Sequence, residues 1–120
     1  MAPPRMRRVN EAMREVLSSH IAGDLKDPRI GFVTVTSVET SPDLSAARVF
    51  VSVLGAPAEQ EDTLAGLRSS RGLLQAHVAR ELRLKRTPTL SFVQDDTALR
   101  ATRIEQLIAE IAPEDREEEA

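Results

Sequence analysis

The sequence predicts an α+β fold of order α-β-β-α-α-β-α, with a three-stranded mixed sheet and helices on one of its faces. Three observations predict it. Two β-branched runs, Phe32–Val38 and Ala46–Leu54, flank a Ser-Pro-Asp turn. Segments with apolar residues three and four positions apart surround this hairpin. A helical pattern over 59–82 then separates the second run from a third, a crossover long enough to make those two strands parallel.

The first helix is expected over Met6–Asp24, where Met6, Val9, Met13, Val16, Leu17 and Ile21 form one apolar stripe. Gly23 and Pro28 punctuate its end. In the turn, Pro42 presets φ, and the side chains of Ser41 and Asp43 are placed to bond the backbone. The second strand alternates: Ala47, Val49, Val51 and Val53 share one face, and Arg48 and Ser52 the other. The first strand, read the same way, sets Val33 and Val35 against Phe32, Thr34, Thr36 and Val38. Gly55-Ala56-Pro57 closes the hairpin.

Leu64, Leu67, Leu74, Val78 and Leu82 carry the helical pattern after it, broken at Ser69-Ser70-Arg71-Gly72. Ser and Gly are poor helix-interior residues, so two helices meet there at a kink or tight turn. Gly72 is expected to serve an unusual backbone angle or a close helix approach. Pro88 opens a third strand, Thr89–Gln94, with Leu90 and Phe92 on one face. A last helix is expected over Thr97–Ile111, capped by Asp95 or Asp96, with Leu99, Ile104, Leu107, Ile108 and Ile111 turned inward.

The chain of 120 residues suits one domain and can bury a core unaided. It is divided as a flexible 1–4, a folded 5–112 and an acidic, disordered 113–120. That final run holds five acids and one Arg. The rest keeps 15 of the 16 basic and 14 of the 19 acidic side chains, so local clusters, not the overall charge of −3, govern what the fold binds. There is no Cys, which removes disulfides and thiolate metal sites. No apolar run is long enough to span a bilayer and the first residues have no apolar signal core, so the expected place is the cytoplasm, with no membrane partner. Three Phe and no Tyr or Trp argue against reading bases by aromatic stacking, but not against gripping a nucleic-acid backbone.

The order α-β-β-α-α-β is that of a type II KH domain, here with a further helix. No G-x-x-G occurs in the chain. The wording of several segments resembles the ribosome-binding factor A family: RMRRVNEAMREVL at 5–17, DPRIGFVTVTSV at 27–38, SPDLSAARVFVSV at 41–53 and LRLKRTPTLSFVQDDT at 82–97. That family carries A-x-G, a helix-kink-helix, where other KH domains have the G-x-x-G loop. Here the place is held by Ser70-Arg71-Gly72, with Ser for Ala. The resemblance implies a non-catalytic ribosome assembly factor. Such a factor binds the free or immature small ribosomal subunit and its rRNA, and assists late maturation and 5′-end processing. An assembly GTPase promotes its release, and the family is associated with growth in the cold.

Charge placement supplies site candidates from the residues themselves. Arg5, Arg7 and Arg8 crowd the start of the first helix, and Arg71 opens the helix after the kink. Helix N-termini prefer anions, so cations there lose a few tenths of a kcal/mol unless a partner brings negative charge. A phosphate is such a partner, and free N–H groups at Arg71 favour it further. Arg80, Arg83, Lys85 and Arg86 form a second cluster, more cations than one helix C-terminus needs. With Ser70 and Gly72 of the kink, these eight are the expected RNA-binding residues, and the eight cations are expected to form one stripe. Arg48 is expected to be a cross-strand ion-pair partner instead. His20 and His77 are far apart in sequence, without further ligands at metal-site spacing, so no metal or cofactor is expected. No nucleophile–base set, P-loop or dinucleotide motif is present, so the chain is not read as an enzyme. The competing reading is a KH-shaped protein-interaction module without RNA; arginines at helix N-termini disfavour it. Nothing suggests an obligate oligomer.

Overall fold

In the computed structural model of the chain, residues 4–23, 25–96 and 105–109 are described. They form α1 (Pro4–Gly23), β1 (Val33–Thr40), β2 (Ala46–Val53), α2 (Pro57–Ser69), α3 (Arg71–Leu82) and β3 (Thr89–Gln94). The acidic run 113–120 lies outside the described residues, as do most of the last predicted helix, with Leu99, Ile104 and Ile111, and its capping.

β2 is the central strand, antiparallel to β1 and parallel to β3, as the crossover length requires. Alternation in β2 buries Ala47, Val49, Val51 and Val53 on the face that the helices cover. Leu90 and Phe92 of β3 join them. The stripe of α1 contributes Met13, Leu17 and Ile21, and the crossover helices contribute Leu64, Leu67, Leu74 and Val78. Each such side chain stabilises the fold by roughly 1.5–3 kcal/mol. The architecture is the type II KH-like one, with a helix-kink-helix in the crossover.

β1 departs from simple alternation. Val35 pairs with Val51 and Ser37 with Phe50, so Thr36 is an extra residue, a β-bulge. Beyond it the faces exchange. Val38, expected opposite Val35, is buried beside it, 5% exposed against 4%. The Thr36 hydroxyl holds the bulge, 3.1 Å from the Phe50 carbonyl and 2.6 Å from an Asp95 carboxylate oxygen.

The hairpin turn is closed by the side chains expected to close it. Ser41 Oγ accepts from the N–H groups of Ser45 and Ala46, both at 3.1 Å. Asp43 accepts from the Ser45 N–H at 3.1 Å and from the hydroxyls of Ser45 and Ser41 at 2.7 Å. The Ser45 and then the Ser41 hydroxyl hold the Asp43 carboxyl down to about 2.

Residues 105–109 are helical, but Leu107 and Ile108 are exposed, 53% and 57%, instead of turned inward. Among the described residues the core on the covered face of the sheet is built with α1, α2 and α3, without these two side chains.

The glycines also differ from expectation. Gly72 sits inside α3 without a positive φ, and a Cβ built on it meets nothing within 4 Å. The close approach is at Gly66, where a Cβ would stand 2.7 Å from Ile30 Cγ1 and 3.4 Å from the Asp27 carboxyl carbon. Gly72→Ala should therefore gain about 0.5–1 kcal/mol from helix propensity. Gly66→Ala should lose about 1 kcal/mol, because Ile30 must give way. Thermal melts of the two variants shifting in opposite directions would check both.

Candidate nucleic-acid interface

The kink is one residue long. Ser70 (φ −91, ψ 3) ends α2 and precedes α3, and its N–H is shared between the carbonyls of Gly66 and Leu67. Its hydroxyl turns backward to donate to the Gly66 carbonyl at 3.0 Å. No side chain therefore caps the first turn of α3, which opens on Arg71 and contains no acid. Arg71 is half-buried, and its Nε is buried without an acceptor among the described residues. An uncapped helix start bearing a cation is a place for an anion.

The described arginines divide into two groups. Arg14, Arg29, Arg48 and Arg68 each pair with a carboxylate, of Glu11, Asp27, Glu39 and Glu61 respectively. Arg5, Arg7, Arg8, Arg71, Arg80, Arg83, Lys85 and Arg86 pair with none among the described residues, and all but Arg71 are exposed. The cations placed in the candidate site by sequence are thus those without a carboxylate partner among the described residues. Lys26 shares this state but lies outside the clusters.

Short contacts bring the clusters towards the hairpin turn. The Asn10 side chain accepts from the Thr40 N–H at 3.0 Å, so Arg7 and Arg8 lie within about one helical turn of the end of β1. Thr89 donates to the Ser45 carbonyl at 3.0 Å, and Arg86 lies close enough to help lower the Asp43 pKa. Gln75 Oε1 accepts from the Leu90 N–H at 3.0 Å, and Arg71 is one turn before Gln75 on the same face of α3. Thr40, Ala47 and Leu90 form one row across the sheet, and these three groups border it. Arg80 and Arg83 extend the cationic surface along the end of α3, where Glu81 contacts His20 of α1.

Arg83 adopts the left-handed conformation (φ 50, ψ 42) in which a helix commonly ends on glycine. A side chain there costs about 1 kcal/mol. Arg83→Gly should raise stability by about 0.5–1 kcal/mol, seen as a higher melting temperature, while weakening any anion binding.

The open sheet face offers less to a phosphate. Its one described cation, Arg48, bonds Glu39 at 2.7 Å, as the sequence suggested, and its guanidinium lies 5.6 Å from the Phe50 ring centre. The hollow beside it includes Glu39, Asp95 and Asp96.

Three features escaped sequence reading. Thr63 is buried in α2, 1% exposed; it donates to the Arg29 carbonyl and accepts from the Gly31 N–H, each at 3.2 Å. Its position four before Leu67, on the apolar stripe, was the available signal. Gly66 receives Ile30. His20 and His77, treated as unrelated, stack with ring centres 3.6 Å apart.

The sequence model of the ribosome-binding factor A family matches residues 5–108. The ribosome-binding factor A of Anaeromyxobacter dehalogenans (strain 2CP-C) is 48% identical over 114 residues, 94% of this chain and 83% of that protein. The crystal structure of ribosome-binding factor A from Thermus thermophilus superposes with a TM-score of 0.67 at 29% identity, covering 74% of this chain and 94% of that one. A homology model of the Thermus thermophilus factor, fitted into a cryo-electron-microscopy map of its complex with 30S, superposes with a TM-score of 0.60 at 30% identity, covering 72% and 90%.

Proposed function

Because the chain belongs to the ribosome-binding factor A family, we propose that it binds the free or immature small ribosomal subunit by gripping rRNA backbone with its clustered cations. The observation that carries this reading is the division of the arginines. Four are tied to carboxylates on the fold, whereas the seven in the clusters, with Lys85, have no carboxylate partner among the described residues and suit an external anion. Ser70 forms the kink from which Arg71 projects, and Gly72 follows within the first turn of α3. The protein acts by binding, without catalysis, as a cytoplasmic monomer. On the subunit it assists late maturation, including 5′-end processing of the rRNA, and an assembly GTPase promotes its release. Association with growth in the cold fits the same role, since misfolded RNA persists longer there.

Phosphate contacts release counterions, so affinity falls steeply with salt. With about five contacts, cosedimentation with purified small subunits should weaken by roughly 10²–10³-fold between 50 and 200 mM salt. Binding that ignores salt would sink the reading.

A protein-binding role has one observation of its own. Phe32 and Leu54, 82% and 71% exposed, stand together at the far end of the hairpin, joined by a Leu54 N–H to Phe32 carbonyl bond. They lie about 20 Å along the strands from the Thr40–Ala47–Leu90 row. If they carried the main contact, Phe32→Ser with Leu54→Ser would abolish cosedimentation and leave no salt dependence to explain.

A further inference from the structure

Two helices distant in sequence bring a ligand set together. His20 lies near the C-terminal end of α1, and its ring stacks on that of His77 in α3, with planes 11° apart. Glu81 follows His77 by one turn on the same face of α3, and its Oε2 bonds His20 Nε2. Each of the three offers a ligand atom within 4.8 Å of the other two. We propose that His20, His77 and Glu81 form a binding site for a divalent transition-metal ion of the zinc class, bridging α1 and α3, with water completing the coordination.

The donor set fits that chemistry. Two imidazole nitrogens and one carboxylate oxygen suit Zn²⁺, and Ni²⁺ or Cu²⁺ by the same donors; they do not suit Mg²⁺ or Ca²⁺, which take oxygen ligands. Residues one turn apart on a helix converge on a point beside it, so His77 and Glu81 act as a chelating pair and His20 supplies the third arm from across the interface. Bonds of about 2.0–2.1 Å in a tetrahedral site put ligand atoms roughly 3.3 Å apart, so the bond between His20 and Glu81 must open and the two rings must splay until both lone pairs meet at the ion. Solvent reaches the site, since the side chains of His20 and Glu81 are 17% and 45% exposed. The nearby C-terminal end of α3 favours a cation, whereas Arg80 and Arg83 beside it oppose one and moderate the affinity.

This inference is independent of RNA binding, and so is its test. Zinc chloride is titrated into the full chain, free of any histidine tag, by calorimetry and by thermal melting. The expected result is one saturable zinc per chain with a micromolar Kd. The melting temperature should rise by about 10 °C at a hundredfold excess over Kd. His77→Gln and Glu81→Gln should each weaken binding at least tenfold and remove the rise. Imidazole nitrogen NMR on the wild-type chain needs no variant: the ring nitrogens of both His20 and His77 should shift on zinc addition. Absence of saturable zinc binding, an equal response in the variants, or unmoved imidazole nitrogens would overturn the site. So would zinc shifts confined to the acidic run 113–120.

Discussion

Arg80→Glu combined with Arg83→Glu is expected to leave a folded protein that no longer cosediments with small subunits. Both side chains are exposed and unpaired among the described residues, so their replacement should cost only about 1–2 kcal/mol, through two acids set against the dipole at the end of α3. Binding loses two attractive contacts and gains two repulsive ones against the phosphate backbone. A combined penalty of roughly 2–4 kcal/mol weakens Kd by about 30- to 1000-fold. The slope of binding against salt should also flatten, because fewer counterions are released. Arg48→Glu is the control: that guanidinium already serves Glu39 on the open sheet face. Equal loss from Arg48→Glu would move the interface to the sheet, and full binding by the double variant would remove the end of α3 from it.

Thr63→Val is expected to be the most damaging of the conservative substitutions. Shape is retained and the hydroxyl is lost. That strands the Gly31 N–H, which donated to it, and the Arg29 carbonyl, which accepted from it. Thr63 is buried but its partners at 29 and 31 lie in exposed residues, so water rescues the stranded groups in part, and a loss of about 1–2 kcal/mol follows. For a domain of this size the melting temperature should fall by roughly 4–15 °C. Thr63→Ser keeps the hydroxyl and should lose much less. A melt for Thr63→Val indistinguishable from wild type would show that the Arg29–Ser69 bond and the seating of Ile30 over Gly66 hold the loop at 27–31 without the Thr63 hydroxyl.

Local chemistry was legible in the sequence wherever it acts locally. The period of β2, the stripe of α1 and the Ser41–Asp43 turn depend on neighbours in the chain, and each appears as read. The kink was legible because Ser and Gly cluster there, but Gly72, expected to serve an unusual backbone angle or a close helix approach, shows neither, and Ile30 fills the space above Gly66 instead. The bulge at Thr36 was not legible, since register is a relation between two strands and β1 alone cannot display it. Leu107 and Ile108 have helical spacing, yet spacing cannot report that the core on the covered face is built without them. In the proposed interface, unfavourable placement against helix dipoles picked out Arg5, Arg7, Arg8 and Arg71. Which arginines are neutralised could be read only for Arg48; the Arg68–Glu61 pair needed coordinates, as did the meeting of His20 with His77.

The seams along α2 have a kinetic meaning. Gln60 reaches the carbonyls of Val53 and Gly55, Thr63 clasps the backbone at 29 and 31, and Ser69 accepts from Arg29. The helix is thereby sewn along its length to the base of the hairpin and the loop before it. Such a segment does not fray by itself: opening it breaks all three seams, so α2 and residues 29–31 form one cooperative unit of hydrogen exchange. Ser70 is the hinge pin between that unit and α3, so any motion that reorients Arg71 relative to α2 must either bend this single residue or release the whole unit at once.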